Sequence, residues 1–330
     1  EMIILAGMRR ANPLNIIKLL YRFRNTSVDG IMCEAFVFEY MPDTLDKVIK
    51  EGLFAMEIKL YIWQLFNGLD FLANNRIAHR DIKPINILVN RDSGELQIGD
   101  FGSAKVIEPG ETSSSYQVTR YYRPPEMLLG STRYSHLVDV WSAGCVLGEM
   151  VKGRALFRGY NTHHQMQLIQ AAIGPPTKAE LVLMKVPRSA KIPSTRKAGL
   201  LNAFRLSEGA LADPDTSGAI ALTARILVYD PERRLCGKAF LEDKFFDDIK
   251  YGLTSAEGRS VSLTRQTSDT LGTHCFETSE RSHQQSSSSQ GMELIDQNNE
   301  VASYAAQPTL LEYLEHANTK KHNRKNDRES

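Results

Sequence analysis

The chain has 330 residues, of which 42% are hydrophobic and 24% are charged, and its formal net charge at pH 7 is +1. This composition supports a buried core, and the near-zero charge gives no reason to expect nucleic acid or a membrane surface as a partner. No apolar run reaches the length of a membrane span. The 4 cysteines are spaced too widely for a zinc site or a disulfide framework, so the cytosol or the nucleus is expected.

The first third of the chain predicts a helix, two strands and a longer helix. Residues 1–10 carry apolar side chains at near-helical spacing, and the pattern stops at Asn12-Pro13. Residues 16–23 and 34–38 are rich in branched and aromatic side chains, which predicts two antiparallel strands. From residue 58 to residue 72, apolar residues recur at the three-and-four spacing of a buried helix face.

The rest of the chain predicts a hairpin, a long loop and several helices. Residues 87–89 and 96–98 form the hairpin, and residues 103–126 form an irregular loop of a length that is usually functional. Helices are predicted over residues 136–151, 162–173, 220–228 and 238–246, with an irregular polar stretch over 177–218. Ser, Thr, Gln and Asn dominate residues 252–330, so this tail is expected to be disordered.

Three motifs in the middle of the chain carry the chemistry. They are His79-Arg80-Asp81-Ile82-Lys83-Pro84-Ile85-Asn86, then Asp100-Phe101-Gly102, then Tyr121-Tyr122-Arg123-Pro124-Pro125-Glu126. Asn86 and Asp100 offer the oxygen ligands that Mg²⁺ prefers, and Asp81 could accept the proton of an attacking hydroxyl. Taken alone, Asp81 would be a solvated loop acid and Asp-Phe-Gly a simple turn. Their joint order and spacing favour phosphoryl transfer instead.

With these motifs in this order, the chain resembles the protein kinases over about residues 1–250. More narrowly, it is similar to the glycogen synthase kinase 3 branch of the group that contains cyclin-dependent and mitogen-activated kinases. The runs that carry this narrower resemblance are residues 79–84, 100–105, 115–116, 119–123 and 139–145.

The resemblance implies an α+β, two-lobed protein kinase fold. Residues 1–41 would be a partial small lobe that ends in the hinge. Residues 42–251 would be a large, mainly helical catalytic lobe, and residues 252–330 a polar tail. A glycine-rich phosphate loop and a Val-Ala-Ile-Lys segment would precede the first helix, so the chain is expected to begin inside the small lobe and to bind ATP weakly.

The resemblance also implies a serine/threonine protein kinase that uses ATP and Mg²⁺ on protein substrates. Asp81 would be the catalytic base, and Lys83 would neutralise charge on the transferred phosphate. Asn86 and Asp100 would hold the metal ions. Thr119 would bridge Asp81 and Lys83.

The nucleotide pocket would lie beside the segment that follows the second strand. Backbone groups of Glu39 and Met41 would hydrogen-bond adenine, and Leu88 would form the floor of the pocket. Phe38 would control access to the back of the pocket.

Members of this branch favour substrates that already carry a phosphate four residues after the target hydroxyl. Arg80 and Lys105 match two of the three basic residues that bind this priming phosphate, and an arginine is suited to bidentate phosphate binding. Tyr116 lines up with the activation-loop tyrosine of the branch. The alternative for Tyr116 is an exposed loop tyrosine without a special role.

Other residues are expected to support the site. His79 would brace the catalytic loop as a packed side chain and would not carry protons. Asp139 would hold the backbone of that loop, and Glu126 and Arg234 would form a buried ion pair. Glu1 matches the helix acid that pairs with the small-lobe lysine.

Two hypotheses remain open from the sequence. The first is an active kinase, because Asp81, Lys83, Asn86 and Asp100 are all present. The second is a pseudokinase or scaffold fragment without turnover, because the glycine-rich loop and the small-lobe lysine are absent from this sequence. The helix over residues 162–173 could offer a docking face to a scaffold protein, but core packing explains its apolar residues equally well.

Overall fold

In the computed structural model, residues 2–26, 30–108, 110–114 and 119–250 are described. The apolar spacing near the N-terminus forms helix α1, Met2–Ala11, whose residues Ile4, Leu5 and Met8 are buried. The helix ends immediately before Asn12-Pro13, as predicted, because proline cannot continue the hydrogen-bond ladder.

The two predicted strands form an antiparallel pair, β1 (Leu19–Thr26) and β2 (Met32–Phe38). Both strands extend beyond the predicted bounds at the end near the turn, because backbone pairing continues through the polar residues Arg24, Asn25 and Thr26. The predicted start at residue 16 was too early. Ile16 and Ile17 lie along residue 98 instead, where the Ile17 N–H donates to the Ile98 carbonyl at 2.9 Å.

Two small sheets place the catalytic motifs. In the first, β3 (Asp43–Thr44), β5 (Ile87–Asn90) and β6 (Glu95–Ile98) pair antiparallel in the order β3-β5-β6, which confirms the predicted hairpin. In the second, β4 (Ile77–Ala78) pairs with β7 (Lys105–Val106). The first motif therefore lies between β4 and β5, and the Asp-Phe-Gly motif lies between β6 and β7.

The core of the larger part is built on two long helices. Helix α3, Ala55–Asn74, buries the apolar face that the sequence predicts, and helix α5, Leu137–Lys152, is buried on all sides over most of its length. Helix α10, Pro214–Ile226, packs closely on α5 at Gly144, where an added Cβ would lie 2.6 Å from Ile226 Cγ2. A side chain at position 144 would therefore force the two helices apart.

The remaining helices are short, with one exception. Helix α6, Thr162–Ile173, has the predicted bounds. The prediction of an irregular stretch over residues 177–218 was wrong, because three short helices and the start of α10 lie there. The short helices, which include these three, are α2 (Leu45–Glu51), α4 (Pro125–Leu128), α7 (Lys178–Leu183), α8 (Leu200–Phe204), α9 (Glu208–Ala212), α11 (Gly237–Leu241) and α12 (Asp247–Lys250).

Among the described residues, no helix is long and apolar enough to cross a membrane. The predicted helix over residues 238–246 divides into α11 and a separate 3-10 turn, Lys244–Phe246. The predicted tail, residues 252–330, lies outside the described residues.

Candidate active site

The backbone of the first motif is attached to helix α5 by one carboxylate. Asp139 accepts hydrogen bonds from the His79 N–H at 2.7 Å and from the Arg80 N–H at 2.8 Å. Burial raises the pKa of Asp139 to about 7, and the two backbone donors oppose that rise by stabilising the charged form. The loop needs this attachment because Arg80 has a positive φ of 64°, which is unfavourable for a side chain that has a Cβ.

His79 links the first motif to the second. Its ring is fully buried, its Nε2 lies 2.8 Å from the Gly99 carbonyl, and it packs edge-on against Phe101 with a centroid distance of 4.8 Å. Burial lowers the pKa of His79, so the neutral imidazole is favoured. The side chain packs between the two motifs, where the sequence places a bracing histidine.

Asp81 is surrounded by hydrogen-bond donors from two parts of the chain. Its Oδ2 accepts from Lys83 Nζ at 2.6 Å and from Asn86 Nδ2 at 3.1 Å, and its Oδ1 accepts from Thr119 Oγ1 at 2.9 Å. Lys83 Nζ also donates to Thr119 Oγ1 at 3.3 Å, so Thr119 bridges the two residues in the way that the sequence predicts. A carboxylate oriented in this way can accept a proton from a hydroxyl group placed beside it.

Asn86 and Asp100 are brought near each other by the β5-β6 hairpin, because the Gly99 N–H donates to the Asn86 carbonyl at 2.9 Å. Asn86 uses its Nδ2 on Asp81, and its Oδ1 has no hydrogen-bond partner among the described residues. Asp100 takes a left-handed conformation, its side chain is exposed, and its Oδ1 accepts from the Gly102 N–H at 3.3 Å.

These two side chains fit a magnesium ion that is shared with phosphate groups. In the described ranges, no cluster of three or more His, Cys, Asp or Glu side chains could bind a metal without help. Mg²⁺ is commonly bound by one or two protein oxygens together with waters and substrate phosphates. Asn86 Oδ1 and the Asp100 carboxylate are oxygens of that kind.

The predicted adenine contacts lie in the extended segment after β2. The Glu39 N–H donates to the Lys18 carbonyl at 3.0 Å, while the Glu39 carbonyl and the Met41 N–H have no hydrogen-bond partner within the described residues. A base edge with one donor and one acceptor would fit these two groups. Leu88 is half-buried next to Gly99, and Phe38 is half-buried at the end of β2.

Glu126 and Arg234 form a buried, two-point ion pair. Arg234 donates from Nη1 to Glu126 Oε1 at 2.8 Å and from Nη2 to Glu126 Oε2 at 2.7 Å. The same Nη1 donates to the Leu137 carbonyl at 2.8 Å, and the guanidinium lies 5.2 Å from the centre of the Trp141 ring. The pair therefore connects α4, which begins within the third motif, to the start of α5.

Arg80 and Lys105 belong to a second cluster of side chains, which lies beside the segment that follows the Asp-Phe-Gly motif. Arg80 Nε donates to the Ser103 carbonyl at 2.7 Å, and Lys105 Nζ lies 2.7 Å from Glu111 Oε1. Glu111, Ser113 and Tyr134 complete the cluster, and none of these three was predicted from the sequence. For Glu111 and Ser113, the only sequence signal was their position after Lys105, within a loop that was expected to be functional.

Two predicted site residues, Glu1 and Tyr116, lie outside the described residues. On α6, the apolar residues Met166 and Ile169 are buried against the core, at 1% and 0% exposure. These two side chains therefore serve core packing and are not available as a docking face.

The curated proteins that are similar to this chain include two protein kinases. "Probable serine/threonine-protein kinase glkA" of Dictyostelium discoideum is 32% identical over 278 residues, which cover 80% of this chain and 56% of that protein. "Protein kinase MCK1" of Saccharomyces cerevisiae is 34% identical over 251 residues, which cover 74% of this chain and 66% of that protein. The matched part of this chain thus spans about half of the first relative and about two thirds of the second.

The family model described as the protein kinase domain matches residues 1–246. This match covers all three motifs and the described core, and it confirms the expected α+β kinase fold with its helical larger lobe. The order of the motifs, the hydrogen bonds around Asp81 and this match lead to one conclusion: the chain belongs to the protein kinase family.

Proposed function

We propose that the protein is a serine/threonine protein kinase that transfers the γ-phosphate of ATP to hydroxyl groups of protein substrates. The observation that carries the proposal is the arrangement around Asp81, where Lys83, Asn86 and Thr119 all donate to one carboxylate. The names of the two relatives agree with it, since both are called protein kinases and one is called a probable serine/threonine kinase.

Asp81 orients the substrate hydroxyl and accepts its proton as the oxygen attacks. Lys83 lies 2.6 Å from the same carboxylate, so its positive charge is placed to stabilise negative charge on the group in transfer. Through its hydrogen bonds to Asp81 and Lys83, Thr119 attaches the start of the segment that follows it to the catalytic loop. The substrate hydroxyl would approach beside this segment. The proton of the hydroxyl thus moves to a carboxylate that its neighbours hold in place.

ATP would supply the phosphoryl group, and Mg²⁺ would neutralise the charge of its phosphates. Asn86 and Asp100 would hold the metal through side-chain oxygens. The Glu39 carbonyl and the Met41 N–H would bind adenine, with Leu88 against one face of the ring and Phe38 at the back of the pocket.

We further propose that the kinase resembles the glycogen synthase kinase 3 branch and prefers primed substrates. The proximity of Arg80 and Lys105 to the same loop supports this preference, because a phosphate beside them would meet two cations. A scaffold partner on the 162–173 region, which could not use the buried Met166 and Ile169, and a cytoplasmic or nuclear location stay predictions from the sequence. The alternative of a scaffold without turnover has no specific observation in its favour.

The test measures phosphate transfer by the complete protein to two peptides, which differ only in a phosphoserine four residues after the target serine. We expect transfer to both, with a higher kcat/KM for the phosphorylated peptide. An Asp81→Asn variant should lose about 10²- to 10⁴-fold in kcat, because the proton acceptor is removed. An Asp92→Asn variant makes the same change at an exposed turn and should keep the original rate.

Each proposal can fail separately in this test. Equal kcat/KM values for the two peptides would contradict the preference for primed substrates and leave the kinase proposal intact. No transfer to either peptide, in the presence of Mg²⁺ and ATP, would favour the scaffold alternative. Equal activity of the Asp81→Asn variant would contradict the role of Asp81.

A further inference from the structure

The ammonium group of Lys105 is fully engaged by the loop that follows it. Lys105 Nζ lies 2.7 Å from Glu111 Oε1, 3.0 Å from Ser113 Oγ and 3.4 Å from the Thr112 carbonyl. An ammonium group has three N–H donors, so these three partners use its whole donor capacity. A further anion can bind Lys105 only if one of them leaves.

Two backbone groups of the same loop form hydrogen bonds with residues outside it, and these hold the loop in place. The Ser113 N–H donates to the Thr132 carbonyl at 2.7 Å, and Tyr134 OH donates to the Ser114 carbonyl at 2.7 Å. Arg80 Nη1 reaches the Tyr134 hydroxyl at 3.5 Å. Residues 111–114 therefore contact Lys105 directly and are linked to Arg80 through Tyr134.

Glu111 brings a negative charge to this position. The hydrogen bond from Lys105 lowers the pKa of Glu111, and the positive charge of Arg80 lowers it further, so the carboxylate is ionised at neutral pH. The carboxylate thus already binds the Lys105 ammonium group as an anion, as a phosphate beside Lys105 would. A doubly charged phosphate would also be repelled by it.

We propose that Glu111 competes with the phosphate of a primed substrate for Lys105, and that it thereby limits how strongly the enzyme prefers phosphorylated substrates. This inference rests on the primed-substrate proposal, which it extends. Phosphate binding would require the Glu111 carboxylate to move away from Lys105. The Ser113 hydroxyl and Tyr134 can remain, because neutral hydroxyl groups can also hydrogen-bond a phosphate.

The size of the effect follows from the exposure of the ion pair. The side chains of Lys105 and Glu111 are 27% and 42% exposed. Exposed ion pairs contribute little, and their usual range corresponds to changes of about two- to fivefold in an equilibrium constant. Glu111 is thus expected to tune the affinity for phosphate and not to abolish it.

The experiment measures binding of two fluorescent peptides to the complete protein by anisotropy, at low salt. The peptides are identical except that one carries a phosphoserine four residues after the target serine. The variants are Glu111→Gln, which removes the charge and keeps the shape, and Lys105→Ala. The matched control is Glu108→Gln, because Glu108 lies three positions earlier and pairs with Arg76 at 3.0 Å.

We expect Glu111→Gln to bind the phosphopeptide about two- to fivefold more tightly and to leave the affinity for the serine peptide unchanged. The gain should shrink at high salt, because exposed charges are screened. Glu108→Gln should have the affinities of the unmodified protein. Thermal unfolding of each variant checks that the fold is kept.

Two results would overturn the inference, and only the second would also overturn the primed-substrate proposal. If Lys105→Ala weakens phosphopeptide binding but Glu111→Gln has no effect, Glu111 does not compete, and the primed-substrate proposal stands. If the unmodified protein binds both peptides equally and Lys105→Ala has no effect, the primed-substrate proposal fails, and the competition fails with it.

Discussion

At the scale of single residues, His79 shows how one buried ring fixes the geometry of the site. The Asp81 N–H donates to His79 Nδ1 at 3.3 Å, so this nitrogen must be unprotonated. The other nitrogen, Nε2, then carries the hydrogen and donates to the Gly99 carbonyl. The two partners therefore assign the neutral tautomer with hydrogen on Nε2, and protonation of Nδ1 would break the contact with the backbone of Asp81.

This assignment predicts a pH dependence of stability. Burial lowers the pKa of His79 below 6.5 in the folded state, so the unfolded state binds more protons as the pH falls. The contribution of His79 to the free energy of unfolding should therefore be full above about pH 6.5 and should fall on acidification toward the lower folded pKa, whereas Asp139, whose folded pKa is raised to about 7, contributes in the opposite direction over this range. Denaturant unfolding between pH 7 and pH 5 measures the slope.

A His79→Gln variant should lose this contribution, so its free energy of unfolding should fall less, or rise more, between pH 7 and pH 5 than that of the unmodified protein, whatever its absolute stability. His163 is an exposed histidine on α6, so a His163→Gln control should keep the slope of the unmodified protein. An unchanged slope in His79→Gln would contradict the assignment.

At the scale of secondary-structure elements, the ion pair of Glu126 and Arg234 joins segments that are far apart in the sequence. Glu126 is 2% exposed and Arg234 is 3% exposed. Removing one member of such a pair leaves the other as an unpaired buried charge, which is strongly unfavourable. The position of α4 relative to α5 therefore depends on both members.

We expect Glu126→Gln to lower the free energy of unfolding by about 3–5 kcal/mol, because Arg234 would remain buried without its counter-ion. The matched control is again Glu108→Gln, since the Arg76–Glu108 pair is 36% and 47% exposed. That control should cost at most about 1 kcal/mol. Equal losses in the two variants, measured by urea unfolding, would contradict the assigned burial.

The sequence predicted most of the long elements well and the short helices poorly, and for α10 it predicted 220–228 where the helix runs from Pro214 to Ile226. Helices α3, α5 and α6 each span three turns or more, so their apolar spacing repeats often enough to be recognised. Helices α7 and α9 have 6 and 5 residues, too few for a repeating pattern. Their clearest signals were the capping residues Thr177 and Ser207, whose side chains accept from backbone N–H groups three positions later.

The same limit applies to the site. The order of the motifs predicted Asp81, Asn86 and Asp100, because these residues lie in short runs with a recognisable composition. Glu111 and Tyr134 could not be predicted in this way. Their contacts with Lys105 and Arg80 depend on the path of an irregular loop, which hydrophobic spacing does not determine.

At the scale of the whole molecule, a buried amide network joins the N-terminal segment to the larger part. Asn15 Nδ2 donates to Gln64 Oε1 at 2.9 Å and to the Leu96 carbonyl at 3.0 Å, while Asn67 Nδ2 donates to Asn15 Oδ1 at 2.9 Å. Asn15 has a positive φ of 63°, a conformation that asparagine tolerates better than most residues. One side chain thus connects the segment before β1 with α3 and with β6.

We expect Asn15→Gly to lower the free energy of unfolding by about 1–3 kcal/mol, because the Leu96 carbonyl and the Asn67 amide lose the Asn15 side chain and Gln64 Oε1 loses one of its two donors. Glycine keeps the positive φ without strain, so the loss reports the hydrogen bonds together with the greater backbone entropy of the unfolded chain. Asn74→Ala is a suitable control, because Asn74 is an exposed residue of α3 that bonds Asp70. A loss in Asn15→Gly no larger than in this control, measured by denaturant unfolding, would contradict the role of the network.

The attachment of the catalytic loop to Asp139 also bears on how the loop can change. Asp139 accepts from the main-chain N–H groups of residues 79 and 80, and every amino acid except proline has such a group. These two hydrogen bonds to α5 therefore do not depend on which side chains, other than proline, stand at residues 79 and 80, while the buried His79 ring adds contacts of its own. Side chains of the loop that make no such contacts can be exchanged for new chemistry while the attachment to α5 is retained.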